Sequence, residues 1–244
     1  MKFYAPILAA GILLGPLFAL AGPADYVYTP IVEYGEKEID FKFGTAQKSG
    51  EPRNSAASIG IGYGATEWWF TELYVKGKRE DNEDTKYDAI EWENKFQLTE
   101  TGKYPVDAGL LVEIERPKDH SEGWEVKSGG LFQTEFGKLQ LNANLLLERQ
   151  YHAESSNATE FLYQWQTKYR WLPQFEYGLQ GFGDMGDWNH WESYDKTSQR
   201  LGPAIFGKLP FGNHQAIRYN AAWLAGISRA APDNTFRMQI EYEF

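Results

Sequence analysis

The side chains able to do chemistry are unevenly spread along this sequence. Cysteine is absent, which removes thiolate nucleophiles, disulfides and every cysteine-held zinc or iron–sulfur site. The histidines, His120, His152, His190 and His214, all fall in stretches that read as connections. A hydrolase built on Ser and His needs both on facing elements with a third orienting group. No such pair sits convincingly on adjacent strands. The densest candidate is the run GFGDMGDWNHWES from Gly181, which offers Asp184, Asp187, His190 and Glu192. Carboxylates beside an imidazole suit a metal site or an acid–base cluster. The same residues suit a solvated surface loop, or a loop that folds inward and narrows a passage.

Elsewhere the acids recur at every second position. Glu38, Asp40 and Lys42 interleave with Ile39, Phe41 and Phe43; Glu91, Glu93, Lys95 and Gln97 interleave with Ile90, Trp92, Phe96 and Leu98. A period of two sends the two sets to opposite faces of a β-strand. Twelve segments alternate: 36–44, 56–64, 68–78, 87–98, 106–115, 124–136, 139–149, 159–169, 174–182, 201–209, 215–227 and 235–244. The ninth to twelfth differ in quality. The stretch 201–209 is interrupted by Pro203, whereas Phe236, Met238, Ile240, Tyr242 and Phe244 alternate perfectly with Arg237, Gln239, Glu241 and Glu243.

A soluble β-sandwich also alternates. Most of these segments, however, are long for globular strands and right for tilted strands crossing a bilayer. The connections also take turns. Short ones at 65–67, 99–105, 137–138, 170–173 and 210–214 alternate with mostly longer, more polar ones at 45–55, 79–86, 116–123, 150–158, 183–200 and 228–234. That asymmetry and the even count predict an all-β fold, a closed antiparallel transmembrane β-barrel of about 12 strands over 36–244. Trp68, Trp69, Phe96, Phe136, Trp171 and Phe244 gather at the short-turn rim, and Tyr87, Trp124, Tyr151 and Phe161 towards the other. Such rings settle at headgroup depth.

Residues 1–21 read as a secretory signal peptide: Lys2, an apolar run from Ala5, and the small-x-small site Ala19-Leu20-Ala21. Residues 22–35 follow as an irregular N-terminal segment. Among the 244 residues, 34 acids outnumber 24 bases for a net charge of −10, so nucleic acid is not an expected partner. No tract after Ala21 is apolar enough for a helical span. The terminal Phe244, with Tyr242 and Ile240 on its parity, resembles the C-terminal signature by which outer-membrane barrels are recognised by the barrel-assembly machinery. The overall pattern resembles the small Gram-negative outer-membrane barrels grouped as transporters or porin-like proteins. The resemblance implies a bacterial outer-membrane location and the lipid bilayer and assembly machinery as partners. It carries over no functional residue.

With apolar parity facing lipid, the other parity faces inward. It holds the acids Glu38, Asp40, Glu72, Glu91, Glu93, Glu113, Glu115, Glu125, Glu135, Glu148, Glu160, Glu176, Glu241 and Glu243. The inward bases are Lys42, Lys76, Lys95, Lys127, Lys168, Lys208, Arg218 and Arg237, fourteen acids against eight bases. Interlocking pairs would make a solid plug; an acid-lined wet channel would favour cations. Arg218, Tyr74 and Phe182 are candidate constrictions. The expected function is a monomeric channel passing small solutes, mildly cation-preferring, with no cofactor. A surface-facing hydrolase of lipid or peptide and a closed structural or adhesin-like barrel are the alternatives.

Overall fold

A sheet with one apolar and one polar face carries unpaired edges until its last strand meets its first. The computed structural model closes in this way. Its strands are β1 (Lys37–Gln47), β2 (Asn54–Thr66), β3 (Trp69–Glu80), β4 (Lys86–Gln97), β5 (Asp107–Pro117), β6 (Trp124–Phe136), β7 (Leu139–Tyr151), β8 (Glu160–Leu172), β9 (Phe175–Asp187), β10 (Ser198–Pro210), β11 (Ala216–Gly226) and β12 (Asn234–Glu243). Each pairs antiparallel with its neighbours, and β12 seals against β1 from Glu38↔Glu243 to Gln47↔Asn234. The structure describes residues 22–81, 83–155, 157–212 and 215–244; the expected signal peptide and His214 lie outside them.

All twelve expected strands are present, several of them longer at the long-loop end. The largest change is at β9 and β10, where Gly183 pairs with Gln199 and Asp184 with Ser198. The connection expected over 183–200 therefore shrinks to 188–197. Glycine explains the misreading. A Cβ on Gly181 or Gly183 would come within 2.3 Å or 2.2 Å of the rings of Trp165 and Tyr163, so these glycines are strand surface beneath two aromatic rings. Composition alone makes Gly183 look like the start of a loop.

The outer face is apolar: Phe41, Ile61, Leu73, Val75, Trp92, Leu145, Leu179, Ile205 and Ile240 are among its exposed residues. So much contiguous apolar surface is untenable in water, and it fits the band that a transmembrane barrel presents to lipid. Aromatic rings stack along the short-turn rim, as Trp68 and Trp69 do with Phe96 and as Phe211, Tyr242 and Phe244 do in succession. The interior is polar with two exceptions. Leu111, Leu131, Leu146 and Leu162 form one buried stripe across β5–β8; Phe182, Ala204, Phe206, Ala222 and Leu224 form another across β9–β11.

Those stripes have an occupant. Residues 22–35 fold into the lumen, where Tyr26 and Tyr28 cover the leucines and Val27 meets the second patch. The segment descends from the outer half to the short-turn rim. Its upper end lies against β1, where a Cβ on Gly44 would fall 1.9 Å from the Pro23 carbonyl, and its lower end lies against Gly64 of β2 through Glu33. Burying each large apolar side chain contributes roughly 1.5–3 kcal/mol, so this docking stabilises the filled state by several kcal/mol.

Candidate functional site: the barrel lumen

The lumen wall divides into a charged half on β1–β7 and an amide-rich half from β6 round to β9. In the charged half Lys42, Lys76 and Lys127 each lie beside two carboxylates. Lys76 reaches Glu91 at 2.8 Å and Glu115 at 2.5 Å, and Lys127 reaches Glu113 and Glu148 at 3.2 Å each. Lys42 lies 3.5 Å from Asp40 and 3.8 Å from Glu93. Antiparallel register places like charges opposite one another, as in Glu72↔Glu93 and Glu91↔Glu115. Interleaved lysines offset that repulsion, since a buried charge is tolerated only when paired.

Glu91, Glu93 and Glu113 come close enough for their oxygens to share one cation, lying within 4.8 Å of one another. Each already has a lysine ammonium beside it, and those fixed cations supply the charge that a metal would bring. In the amide half, Gln140, Gln133, Asn142, Gln166 and Gln180 form a chain of side-chain hydrogen bonds that ends on the Arg237 guanidinium, 2.7 Å from Gln180 Oε1.

The N-terminal segment is clasped to both halves. The Tyr26 hydroxyl donates to Glu93 at 2.5 Å and the Tyr28 hydroxyl donates to Glu113. The Lys42 ammonium sits between the Tyr26 and Tyr74 rings, 3.5 Å and 3.7 Å from their centres, a cation–π contact strengthened by desolvation. Asn144 grips the backbone of Tyr28 twice, accepting from its N–H at 2.9 Å and donating to its carbonyl at 3.1 Å. Val32 N–H donates to Gln97 at 2.8 Å. Side chains hold residues 26–32, and the backbone meets the wall at the lower end, where Gly35 N–H donates to the Gly64 carbonyl at 2.8 Å.

Below it remains a cavity of about 380 Å³ at the short-turn end. Glu38, Lys168 and Arg218 line it, Glu38 being itself largely buried; Asp40, Glu72, Glu91, Glu93 and Glu113 are buried away from it. Glu115 is held by Lys76, Glu135 by Arg170 at 2.5 Å on the rim, and Arg237 is sealed in the interior. Of the proposed constrictions, Tyr74 donates between Asp40 and Glu72 and Phe182 belongs to the second apolar patch; both are buried. Arg218 instead stays half exposed, bonded to Glu243 at the rim.

The run from Gly181 is not brought together. Asp184 faces inward on β9 and is buried, whereas Asp187 and His190 are exposed and Glu192 pairs with Lys196 at 3.2 Å. Trp191 stacks on Phe161, an outward residue of β8, at 5.7 Å between ring centres, so the loop leans over the outside of the barrel. Sequence reasoning missed Tyr26, Tyr28, Pro30 and Val32. It had a usable signal: Leu111, Leu131, Leu146 and Leu162 are apolar residues on the polar parity of consecutive strands, and such a stripe needs a cover.

Comparison with known proteins agrees with this geometry. No protein-family model matches the chain, and no curated protein matches it in sequence. Among solved structures, an outer membrane channel from Pseudomonas putida F1 superposes with a TM-score of 0.54 at 11% identity, covering 91% of this chain and 98% of that one. The fold is that of an outer-membrane barrel. The translocator domain of the autotransporter NalP from Neisseria meningitidis gives a TM-score of 0.48 at 12% identity, covering 87% and 88%. A closed barrel with an apolar belt and ringed rims resides in a bacterial outer membrane, with its short turns on the periplasmic side.

Proposed function

We propose that the chain is an outer-membrane channel for small solutes, closed in this state by its own residues 22–35. One observation carries the reading: a wide, charged wall continues behind a segment that is held above its lower end by a few side-chain clasps. Displacing the segment would expose Glu72, Glu91, Glu93 and Glu113, and the acid excess would make the open path mildly cation-preferring. The mature chain is proposed to begin at Gly22 and to act as a monomer, with Phe244 as its assembly signal.

Reversal potentials in planar bilayers under a salt gradient test this. A chain lacking residues 22–32 should conduct with a modest cation preference, and neutralising Glu91, Glu93 and Glu113 together should reduce that preference. Silent bilayers for both the full chain and the deletion would instead favour a closed structural barrel. Hydrolysis of phospholipid or peptide by the purified barrel, lost on His190→Ala, would favour the enzyme.

A further inference from the structure

The cavity at the periplasmic end differs in charge from the lumen as a whole. Its lining carries five acids and five bases, whereas the inward parity overall is strongly acidic. The signs are separated only in part. Glu38 on β1 and Glu241 on the adjacent β12 line one wall without an ion pair among the described residues, with Arg218 cross-strand from Glu241 and Lys95 also in the lining. Lys168 stands on β8, five strands round a twelve-stranded ring and so nearly opposite. Its one carboxylate partner, Glu176, is a long 3.5 Å away. Beneath it lies the Phe206 ring, 5.6 Å from the ammonium; Tyr26 and Phe70 also line the cavity, the Phe70 ring beneath the Lys95 ammonium at 4.5 Å.

We propose that this cavity is a binding site for small zwitterions whose ammonium and carboxylate sit at opposite ends, of the ω-amino acid type. The ammonium end meets Glu38 and Glu241, the carboxylate end meets Lys168, and the methylenes between lie against the Phe206, Tyr26 and Phe70 rings. A simple cation would gain from one wall and be repelled by the other, and a simple anion the reverse; only a dipolar ligand gains from both. The volume suits the class, since about 380 Å³ is at the small-ligand end of binding cavities and holds on the order of a dozen waters at ~30 Å³ each. The inference rests on the channel reading for its role, because the cavity would be the last site on the path to the periplasm. Binding itself does not require flux.

Calorimetric titration of the detergent-solubilised barrel with 5-aminovalerate, pentanoate and pentylamine separates the two. The zwitterion should bind saturably, and each half-ligand should bind about tenfold more weakly for its missing charge contact. Glu38→Gln with Glu241→Gln should bring 5-aminovalerate and pentanoate to the same affinity, with pentanoate rising as the repelling wall is neutralised. Lys168→Met should bring the zwitterion to the level of pentylamine. Unchanged heat-modifiable migration on gels checks that each variant is folded. Equal affinity for all three probes, binding insensitive to these substitutions in folded variants, or no binding would overturn the proposal. Binding with silent bilayers for both the full chain and the chain lacking residues 22–32 would sink the channel reading and leave the site standing; conductance without binding would do the opposite.

Discussion

At the scale of single residues, the clearest lever on the closed state is Gly44. It faces inward, and any side chain there meets the Pro23 backbone. Gly44→Leu should dislodge residues 22–35 and raise conductance while leaving every lumen charge in place; bilayer recordings check it. Asn144→Ala should act likewise, because two hydrogen bonds to Tyr28 are lost and buried groups are left unpaired, at a cost of about 1–3 kcal/mol. The inward parity of β7 is therefore not uniformly tolerant, since one of its amides holds the plug. On the other parity, Leu145→Lys puts a charge on the lipid face and should destabilise the barrel by about 2–4 kcal/mol near the midplane, read by unfolding in vesicles. Gln166 is the inward contrast, part of an amide chain that can rearrange, and a charge there should be milder.

At the scale of elements, alternation made the strands legible because one face meets lipid and the other meets polar groups. It failed where a local rule was outweighed. Gly183 and Gly186 suggested a loop, yet β9 runs through both, and Tyr163 lies over Gly183. Residues 22–35 carry no alternation, so no strand pattern could place them. Their position was written instead in Leu111, Leu131, Leu146 and Leu162, whose partner only the closed barrel reveals. The loop over 188–197 leans outward on Phe161, so deleting residues 188–193 should leave conductance unchanged in bilayers. Phe244 follows the final strand directly and stacks on Tyr242 at 5.4 Å. Phe244→Ser should lower the yield of assembled, heat-modifiable barrel, since it removes an interfacial ring and alters the proposed assembly signal.

At the scale of the whole molecule, the sequence separates an apolar exterior from an ionic interior, and the interior separates again into a sealed acid-rich wall and a charge-balanced cavity below it. The inward acids could be read from parity; which of them meet solvent could not, because that depends on a segment without a pattern of its own. Glu93 and Glu113 are buried with Tyr26 and Tyr28 bonded to them, and Asp40 and Glu72 are buried beside Tyr74. Single-channel conductance of the chain with residues 22–32 deleted, set beside that of the full chain in the same bilayer and salt, tests the central claim most directly. A barrel closed by its own N-terminus should give small or rare openings when intact and large, steady ones after the deletion. Equal conductance in the two, with both folded by heat-modifiable migration, would contradict it.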